Sequence, residues 1–269
     1  MPAKLNIVVA HKLEARPLVE WFDLQAISKS PLIYRNDEGM RLVVSGEGSQ
    51  CIEAAVNYLG QEDSDSFCAA WLNVGIAGHQ SLAIGQAGLV SKIVRRSDGA
   101  SCYPVLQTDQ QPIGELHTVD EPEFAFPDNV AYDMEAFGFF TVAKQFTTLE
   151  LVQSFKIISD NAKKDASTVT PERVIEVITD NKVRIQQVVN ELLALQQCYE
   201  AFAGAPDGFE DLAARIYLTA TQKSQVRRLM QRYLAFGLGQ ELAQLLGKPD
   251  QDARDLVRGM RSRLQEVGE

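Results

Sequence analysis

The sequence predicts an α/β protein in which helices cover both faces of one sheet. Two observations support this prediction. Five short runs rich in Val, Ile, Leu and Phe are each typical of a buried strand, and segments with helical spacing separate several of them. Continuous apolar strands that alternate with helices indicate a sheet buried on both faces. The predicted strands are Leu5–Ala10, Met40–Gly46, Phe67–Gly75, Ala87–Val94 and Leu151–Ser159.

Three predicted helices accompany these strands. Two of them, Ser49–Gln61 and Glu135–Phe146, lie between strands and carry apolar residues at helical spacing. The third, Thr170–Gln197, begins with a threonine at the N-cap and a proline at the first helical position. Its apolar residues recur in steps of three and four, so we expect a long amphipathic helix that packs across the sheet.

A second domain is predicted after the Gly- and Pro-rich segment Ala203–Gly208, which interrupts the chain. We predict one domain over residues 1–198 and a C-terminal helical extension over residues 199–269. Residues 199–269 contain ten basic and ten acidic residues, so the whole net charge of −10 belongs to the first domain. The predicted helices of the extension are Phe209–Phe236, Gln240–Leu246 and Asp250–Val267.

Composition excludes several classes of protein. The net charge of −10 argues against a general affinity for nucleic acid, and the basic face at Lys223, Arg227, Arg228 and Arg232 is more typical of a solvated helix. No run of eighteen apolar residues predicts a membrane span, and the first apolar run is too short for a signal peptide. We expect a cytoplasmic protein without a membrane partner. Its four cysteines are widely spaced, which predicts neither a zinc site nor disulfides.

Five motifs occur in a recognisable order: AHKLEA, SGEG, NVGIAG, YDMEAFG and KIISDNA. Over residues 4–197 this order resembles the purine and uridine phosphorylase superfamily, and in particular its hydrolytic branch, the methylthioadenosine/S-adenosylhomocysteine nucleosidases. The resemblance implies a three-layer α/β/α nucleoside phosphorylase-like fold with a mixed central sheet. It also implies hydrolysis of the N-glycosidic bond of a purine nucleoside similar to methylthioadenosine or S-adenosylhomocysteine, with no metal or organic cofactor.

Three carboxylates take their expected roles from this resemblance. Glu135 would accept hydrogen bonds from both ribose hydroxyls, with Met134 against the sugar, because a carboxylate accepts two donors at once. Asp160 would protonate the purine, and Glu14 would activate the attacking water. Each also has a purely structural interpretation. Glu135 would be a first-turn acid of a helix, Asp160 would start a turn, and Glu14 would be an exposed acid of the first helix. Asp133 is expected to end the strand or cap the next helix.

The remaining predicted contacts are with the sugar and the base. The backbone around Gly75, Ile76 and Gly78 would line the sugar, although Ile76 replaces the Ser or Thr that most members of the resembling family carry there. The segment Leu116–Pro127 corresponds to the base-binding loop of that family, and its candidate contacts are Thr118, Val119 and Phe124. His79 and His117 are expected to be loop histidines at the rim or in solvent.

Two other functions stay open at this point. A phosphorolytic enzyme would hold inorganic phosphate with Arg16, with Arg35 or Arg41 as further candidate ligands, although Glu14 would repel the phosphate. A nucleoside-binding protein without turnover would keep the pocket and use the helical extension for interactions. In each case the expected partner is a small nucleoside. A homo-oligomer is also expected, because members of the resembling family are dimers or trimer-based hexamers.

Overall fold

The computed structural model describes residues 4–62, 68–106, 111–163, 170–203, 206–248 and 252–268. The chain divides into two compact units, Met1–Gln197 and Cys198–Glu269. Each unit is described by itself below. Among the described residues, every helix is too short or too polar to cross a membrane.

The first unit is built on a mixed sheet, to which the described residues contribute ten strands. These are β1 (Leu5–Val9), β2 (Gln25–Lys29), β3 (Leu32–Arg35), β4 (Met40–Val44), β5 (Ala70–His79), β6 (Ala87–Arg95), β7 (Ser101–Cys102), β8 (Gly114–Thr118), β9 (Ala131–Asp133) and β10 (Val152–Asn161). The helices that begin in this unit are α1 (Lys12–Trp21), α2 (Ser49–Glu62), α3 (Ala136–Ala143), α4 (Pro171–Asp180) and α5 (Lys182–Ala203).

The order of strand pairing places several strand ends at one edge. β1 lies between β4 and β5 and is parallel to both, and β5 is also parallel to β10. β10 then pairs with β6, β6 with β8, β8 with β9 and β9 with β5, so five strands form a closed ring of pairings. The carboxyl ends of β1, β4, β5 and β10 therefore share one edge, where α/β proteins place their binding sites.

Helices cover the sheet as predicted. The chain moves from β1 through α1 to β4 and returns through α2 to β5 on the other side of β1, so right-handed crossovers place α1 and α2 on opposite faces. Apolar residues of α2 recur at Ile52, Val56 and Leu59, and they belong to one buried cluster with Phe139 and Phe140 of α3. Burial of each such side chain stabilises the fold by about 1.5–3 kcal/mol. The mixed α/β fold predicted from the sequence is confirmed.

Five strands were not predicted. β2 is mostly exposed and β7 has two residues, so neither shows the apolar pattern of a buried strand. β3, β8 and β9 are also short. Two predicted strands end later than expected: β5 continues to His79 and β10 to Asn161. Residues 76–79 and 160–161, which the predicted strands left out, are therefore strand ends. Phe67, the predicted start of one strand, lies outside the described residues.

The predicted helix Thr170–Gln197 is wrong as a single helix. Thr170 is the N-cap as expected, because its Oγ1 accepts a hydrogen bond from the Arg173 amide at 3.3 Å. The helix ends at Asp180, however, and α5 begins at Lys182. Asn181 separates them, and its Nδ2 donates to the carbonyls of Gly85 and Val177 at 2.9 Å each. An amide side chain that bonds to backbone groups in this way competes with a continuous helix.

The second unit contains α6 (Phe209–Arg215), α7 (Ala220–Ala235), α8 (Gly239–Leu246) and α9 (Ala253–Gly268). Its described residues form a separate apolar core around Met230, Tyr233 and Met260. The predicted helix Phe209–Phe236 is wrong as one helix, because Thr219 starts α7 with a capping box. The predictions for α8 and α9 are confirmed, except that Asp250 lies outside the described residues.

Candidate active site

A cavity of about 380 Å³ opens at the shared edge of the sheet. Its walls come from the segments that follow β1 and β4, from the ends of β5 and β10, from residues 119–124 and from the turn between β9 and α3. This volume lies in the range of cavities that bind small molecules. Strand ends from distant parts of the sequence thus meet in one hollow.

The three predicted carboxylates all line this cavity. Glu14 is 3%, Asp160 7% and Glu135 8% exposed. Removing a carboxylate from water costs several kcal/mol unless hydrogen bonds or opposite charges compensate. The contacts of each acid therefore decide what it can do.

Glu14 lies in the first turn of α1, where both of its carboxylate oxygens accept backbone hydrogen bonds. Oε2 accepts from the His11 amide at 2.9 Å, and Oε1 accepts from the Ile76 amide at 3.1 Å. The second bond comes from β5 and ties the helix to the sheet. Burial raises the pKa of Glu14, and these two amides with Lys156 partly offset the rise. The result is a carboxylate held in one orientation and more basic than an exposed one.

Glu135 lies at the N-cap of α3, immediately after β9. Its Oε1 accepts a hydrogen bond from the Gly48 amide at 2.7 Å, and its Oε2 lies 3.3 Å from the Met134 amide. Burial, followed by the neighbouring charge of Asp133, raises the pKa of Glu135 to about 7. Each oxygen has a second lone pair. The group can therefore accept hydrogen bonds from a ligand in the cavity.

Asp160 comes near the end of β10, after an irregularity in its pairing with β5 between Ile158 and Asp160. A bulge of this kind re-aims side chains, and it brings both Ser159 and Asp160 to the cavity wall. The Ser159 hydroxyl donates to Asp160 Oδ1 at 2.5 Å. Gly78 lies opposite: a side-chain carbon there would be 2.9 Å from Asp160 Oδ2 and 2.5 Å from the Phe126 ring. Glycine is thus required for this close approach.

Lys156 is the main site residue that the sequence interpretation missed. It lies in β10, is 1% exposed, and its Nζ forms an ion pair with Asp133 Oδ2 at 2.9 Å. Burial alone would lower the pKa of Lys156, but Asp133, Glu135 and Glu14 together raise it. The sequence did contain a signal for this residue, because a lysine lies inside the apolar run SFKII. A cation buried in a strand requires buried acidic partners, so this lysine indicated a cluster of buried charges.

Asp133 has the helix-capping role that was expected. Its Oδ2 accepts a hydrogen bond from the Ala136 amide at 2.8 Å, and its Oδ1 accepts from the Thr118 hydroxyl at 2.8 Å. Thr118 Oγ1 in turn accepts from the Phe137 amide at 3.0 Å. Thr118 is not among the residues that line the cavity, and its side chain supports Asp133 and α3. Its contact with the base stays a prediction.

Gly75 also lies behind the cavity wall. A side-chain carbon there would be 3.1 Å from Lys156 Nζ and 3.2 Å from Glu14 Oε1. The lysine and the carboxylate both approach the backbone at this point, and a side-chain carbon would push them aside by a few tenths of an ångström, so glycine fits best. Gly75 therefore makes room for the charged groups, whereas Ile76 and Gly78 line the cavity themselves.

The predicted phosphate ligands are not at the cavity. Arg16 is exposed on α1. Arg41 donates to the Asn6 side chain and to the Leu59 carbonyl, and Arg35 lines a different depression near the β2–β3 hairpin. Among the described residues that line the cavity, none is Arg or Lys.

The other predicted contacts divide in two. Met134, Val119 and Phe124 line the cavity, and Phe124 is 59% exposed. His79 is buried at the end of β5, where its Nδ1 accepts from the amides of Ser81 and Leu82, so the prediction of a rim position is wrong. Burial lowers the pKa of His79. His117 is half-buried on β8, not in a solvent-exposed loop.

Two residues at the cavity, His11 and Glu47, were quoted within motifs but given no role. Their side chains are joined by a contact of 2.5 Å between His11 Nε2 and Glu47 Oε1. Both line the cavity. The described residues contain no group of three His, Cys, Asp or Glu that could hold a metal ion.

Comparisons with known proteins identify the fold. No protein-family model and no curated protein matches the chain in sequence. The Arabidopsis thaliana 5′-methylthioadenosine nucleosidase in apo form aligns with a TM-score of 0.59 and 19% identity, over 71% of this chain and 97% of its own. A mutant of the Helicobacter pylori methylthioadenosine/S-adenosylhomocysteine nucleosidase, with 5′-methylthioadenosine in its active site, aligns with a TM-score of 0.58 and 14% identity. The alignment covers 71% of this chain and 100% of the other.

A third similar structure is the futalosine hydrolase of Helicobacter pylori, with a TM-score of 0.55 and 14% identity over 70% of this chain and 98% of its own. The chain thus has the fold of the methylthioadenosine/S-adenosylhomocysteine nucleosidases. The fold implied by the five sequence motifs is confirmed.

Proposed function

We propose that the chain is an N-glycosidase that hydrolyses the bond between the base and the sugar of a purine nucleoside. One observation carries the proposal: Glu14, Glu135 and Asp160 are buried, yet all three line the same cavity of about 380 Å³. Buried ionisable groups that converge in a cavity are typical of active sites. The similarity in fold to nucleosidases supports the choice of reaction.

Asp160 is the general acid that assists departure of the base. As the bond between C1′ of the sugar and the purine nitrogen breaks, the electron pair goes to the base, and Asp160 transfers a proton to the base. The base then leaves neutral, which lowers the barrier. The hydroxyl of Ser159, at 2.5 Å from Oδ1, stabilises the carboxylate that remains.

Glu14 is the general base that activates the attacking water. A water molecule bonds to C1′ and gives a proton to the Glu14 carboxylate, which the amides of His11 and Ile76 hold in place. Glu135 accepts hydrogen bonds from the ribose hydroxyls and fixes the sugar between the acid and the base. An acid on one face of the sugar and a base on the other suit a transition state with positive charge on the sugar. The six acidic residues that line the cavity favour that positive charge.

Lys156 keeps this arrangement of acids together. Three carboxylates in one buried region repel one another, and a buried cation that contacts Asp133 and faces Glu14 reduces that repulsion.

Phosphorolysis is less favoured, because no Arg or Lys is among the described residues that line the cavity, whereas phosphate binding needs cationic ligands.

Release of free base tests the proposal. The protein is incubated with adenosine, inosine, 5′-methylthioadenosine and S-adenosylhomocysteine, each with and without inorganic phosphate. Hydrolysis predicts the same rate of base release in both conditions and free ribose or its 5′-derivative as the second product. Release that requires phosphate would identify a phosphorylase, and saturable binding without release would identify a nucleoside-binding protein. Either result overturns the proposed hydrolysis.

A further inference from the structure

The pair formed by His11 and Glu47 has a defined position relative to the proposed catalytic acids. The backbone amide of His11 donates to Glu14 Oε2 at 2.9 Å. The residue after Glu47 is Gly48, whose amide donates to Glu135 Oε1 at 2.7 Å. The pair therefore adjoins the two acids to which the proposed function assigns the sugar. Ser159 and Asp160, to which it assigns the base, line the cavity from β10.

The shape of a nucleoside then decides what the pair faces. With the hydroxyls at C2′ and C3′ on Glu135 and the base on Asp160, the group carried by C4′ points away from the base. That group is the 5′ substituent. The inference thus rests on the proposed function, because the roles of Glu135 and Asp160 set the direction of the sugar.

The chemistry of the pair selects among 5′ substituents. An ionised carboxylate can only accept, so His11 Nε2 donates to Glu47 Oε1 and holds the carboxylate in place. Glu47 Oε2 makes no hydrogen bond to another described residue, and the Glu47 side chain is 63% exposed. This oxygen can accept a hydrogen bond from a hydroxyl. A methylthio group offers no donor and would displace water from the pair without replacing its hydrogen bonds.

The negative charge of the cavity disfavours nucleotides as substrates. Glu14, Glu47, Glu123, Asp133, Glu135 and Asp160 line the cavity, and no Lys or Arg is among the described lining residues. A 5′-phosphate beside Glu47 would bring negative charge close to negative charge, which costs free energy. Nucleotides should therefore bind poorly.

We infer that His11 and Glu47 form a 5′-hydroxyl subsite, so that the substrate is a purine nucleoside with a free 5′-hydroxyl. Glu47 Oε2 accepts a hydrogen bond from the 5′-hydroxyl, and His11 orients the carboxylate. Methylthio nucleosides and nucleoside 5′-phosphates are the poorer substrates.

Kinetics with paired substrates tests this inference. Adenosine is compared with 5′-deoxyadenosine, 5′-methylthioadenosine and adenosine 5′-monophosphate, and the inosine series is run in parallel. For the wild type we expect kcat/KM for the 5′-hydroxyl nucleoside to exceed that of its 5′-deoxy analogue by about ten- to a hundredfold, the effect of a hydrogen bond to a charged group. In Glu47→Leu the ratio should fall to about one, through a loss with the hydroxyl substrate alone. Glu47→Gln keeps an acceptor and should lie between these two.

The outcomes separate the inference from the proposed function. If the wild type releases base equally well from 5′-hydroxyl and 5′-deoxy nucleosides, or if Glu47→Leu slows both equally, the 5′-hydroxyl subsite is wrong and hydrolysis stands. The same nucleosides are also compared by calorimetric affinity. A preference for the 5′-hydroxyl in binding, lost in Glu47→Leu but without any base release, supports the subsite and overturns hydrolysis. Tighter binding of the methylthio compound or the 5′-phosphate overturns the subsite.

Discussion

The two units of the chain differ in whether they bury charged side chains. In the first unit, Glu14, Asp133, Glu135, Lys156 and Asp160 are all buried. In the second unit, no charged side chain among the described residues is buried, and its ion pairs are half-exposed or exposed.

The pair between Arg263 and Glu241 is an example from the second unit. Its side chains are 41% and 44% exposed, whereas those of Lys156 and Asp133 are each 1% exposed. A surface pair adds little to stability, and a buried pair is costly to form and more costly to break. Buried charges are therefore not explained by the stability of the fold. Where they surround a cavity, they indicate a functional site.

The largest expected effect is on catalysis. Asp160→Asn removes the proton donor but keeps the shape of the side chain, so we expect kcat/KM to fall by about 10²–10⁴-fold, while nucleoside affinity changes little. Base release and calorimetric binding are measured on the same samples. Asp255→Asn, in the second unit, is the matched control and should keep full activity. Unchanged base release in Asp160→Asn would remove Asp160 from the mechanism.

The next effect is on stability. Lys156→Met leaves Asp133 buried without its cation, and we expect the free energy of unfolding to fall by about 3–5 kcal/mol. Urea unfolding measures it. The double variant Asp133→Asn with Lys156→Met should recover part of the loss, because the unpaired charge is gone. A loss below 1 kcal/mol in the single variant would show that the buried pair does not hold the acids together.

Glu135 predicts a dependence of stability on pH. Its pKa is about 7 in the folded protein, against 4.5 for an unperturbed glutamate, so between these values the folded state holds a proton that the unfolded state has lost. The stability supplied by the neutral carboxyl is therefore lost as pH rises from 5 towards 8. The Tm of the wild type should fall relative to that of Glu135→Gln over this range. A constant difference between the two Tm values would contradict the raised pKa.

The smallest effect is expected in the second unit. Arg263→Ala removes the ion pair with Glu241 and the contact with Glu266 at 3.3 Å. Because these groups remain in contact with water, we expect Tm to change by less than about 3 °C and base release to stay the same. Arg263→Lys is the conservative control. A Tm loss as large as that of Lys156→Met would mean that exposure does not separate the two kinds of charge.

The sequence predicted the parts of the site that are carried by local motifs. Glu14 follows β1, Glu135 follows β9 and Asp160 lies near the end of β10, and each is recognisable from its neighbours in the chain. Their common cavity depends on long-range strand pairing, which the motif order implied only through resemblance.

The remaining site residues depend on contacts between distant segments. Lys156 meets Asp133 across the sheet, and His11 meets Glu47 between two strand exits, so no local pattern shows either partner. Thr118 was placed at the base by its position in a loop, but its hydroxyl is committed to Asp133 and α3. Asn181 breaks the predicted long helix through a bond to Gly85, 96 residues earlier in the sequence.

A crystal structure with a purine nucleoside bound to Asp160→Asn tests the central claim most directly. We predict both ribose hydroxyls within hydrogen-bond distance of Glu135, the purine ring against residue 160, and a water molecule between Glu14 and C1′ on the opposite face of the sugar. A nucleoside bound elsewhere, or bound here with its sugar away from Glu135, would contradict the claim that these three acids act on one substrate.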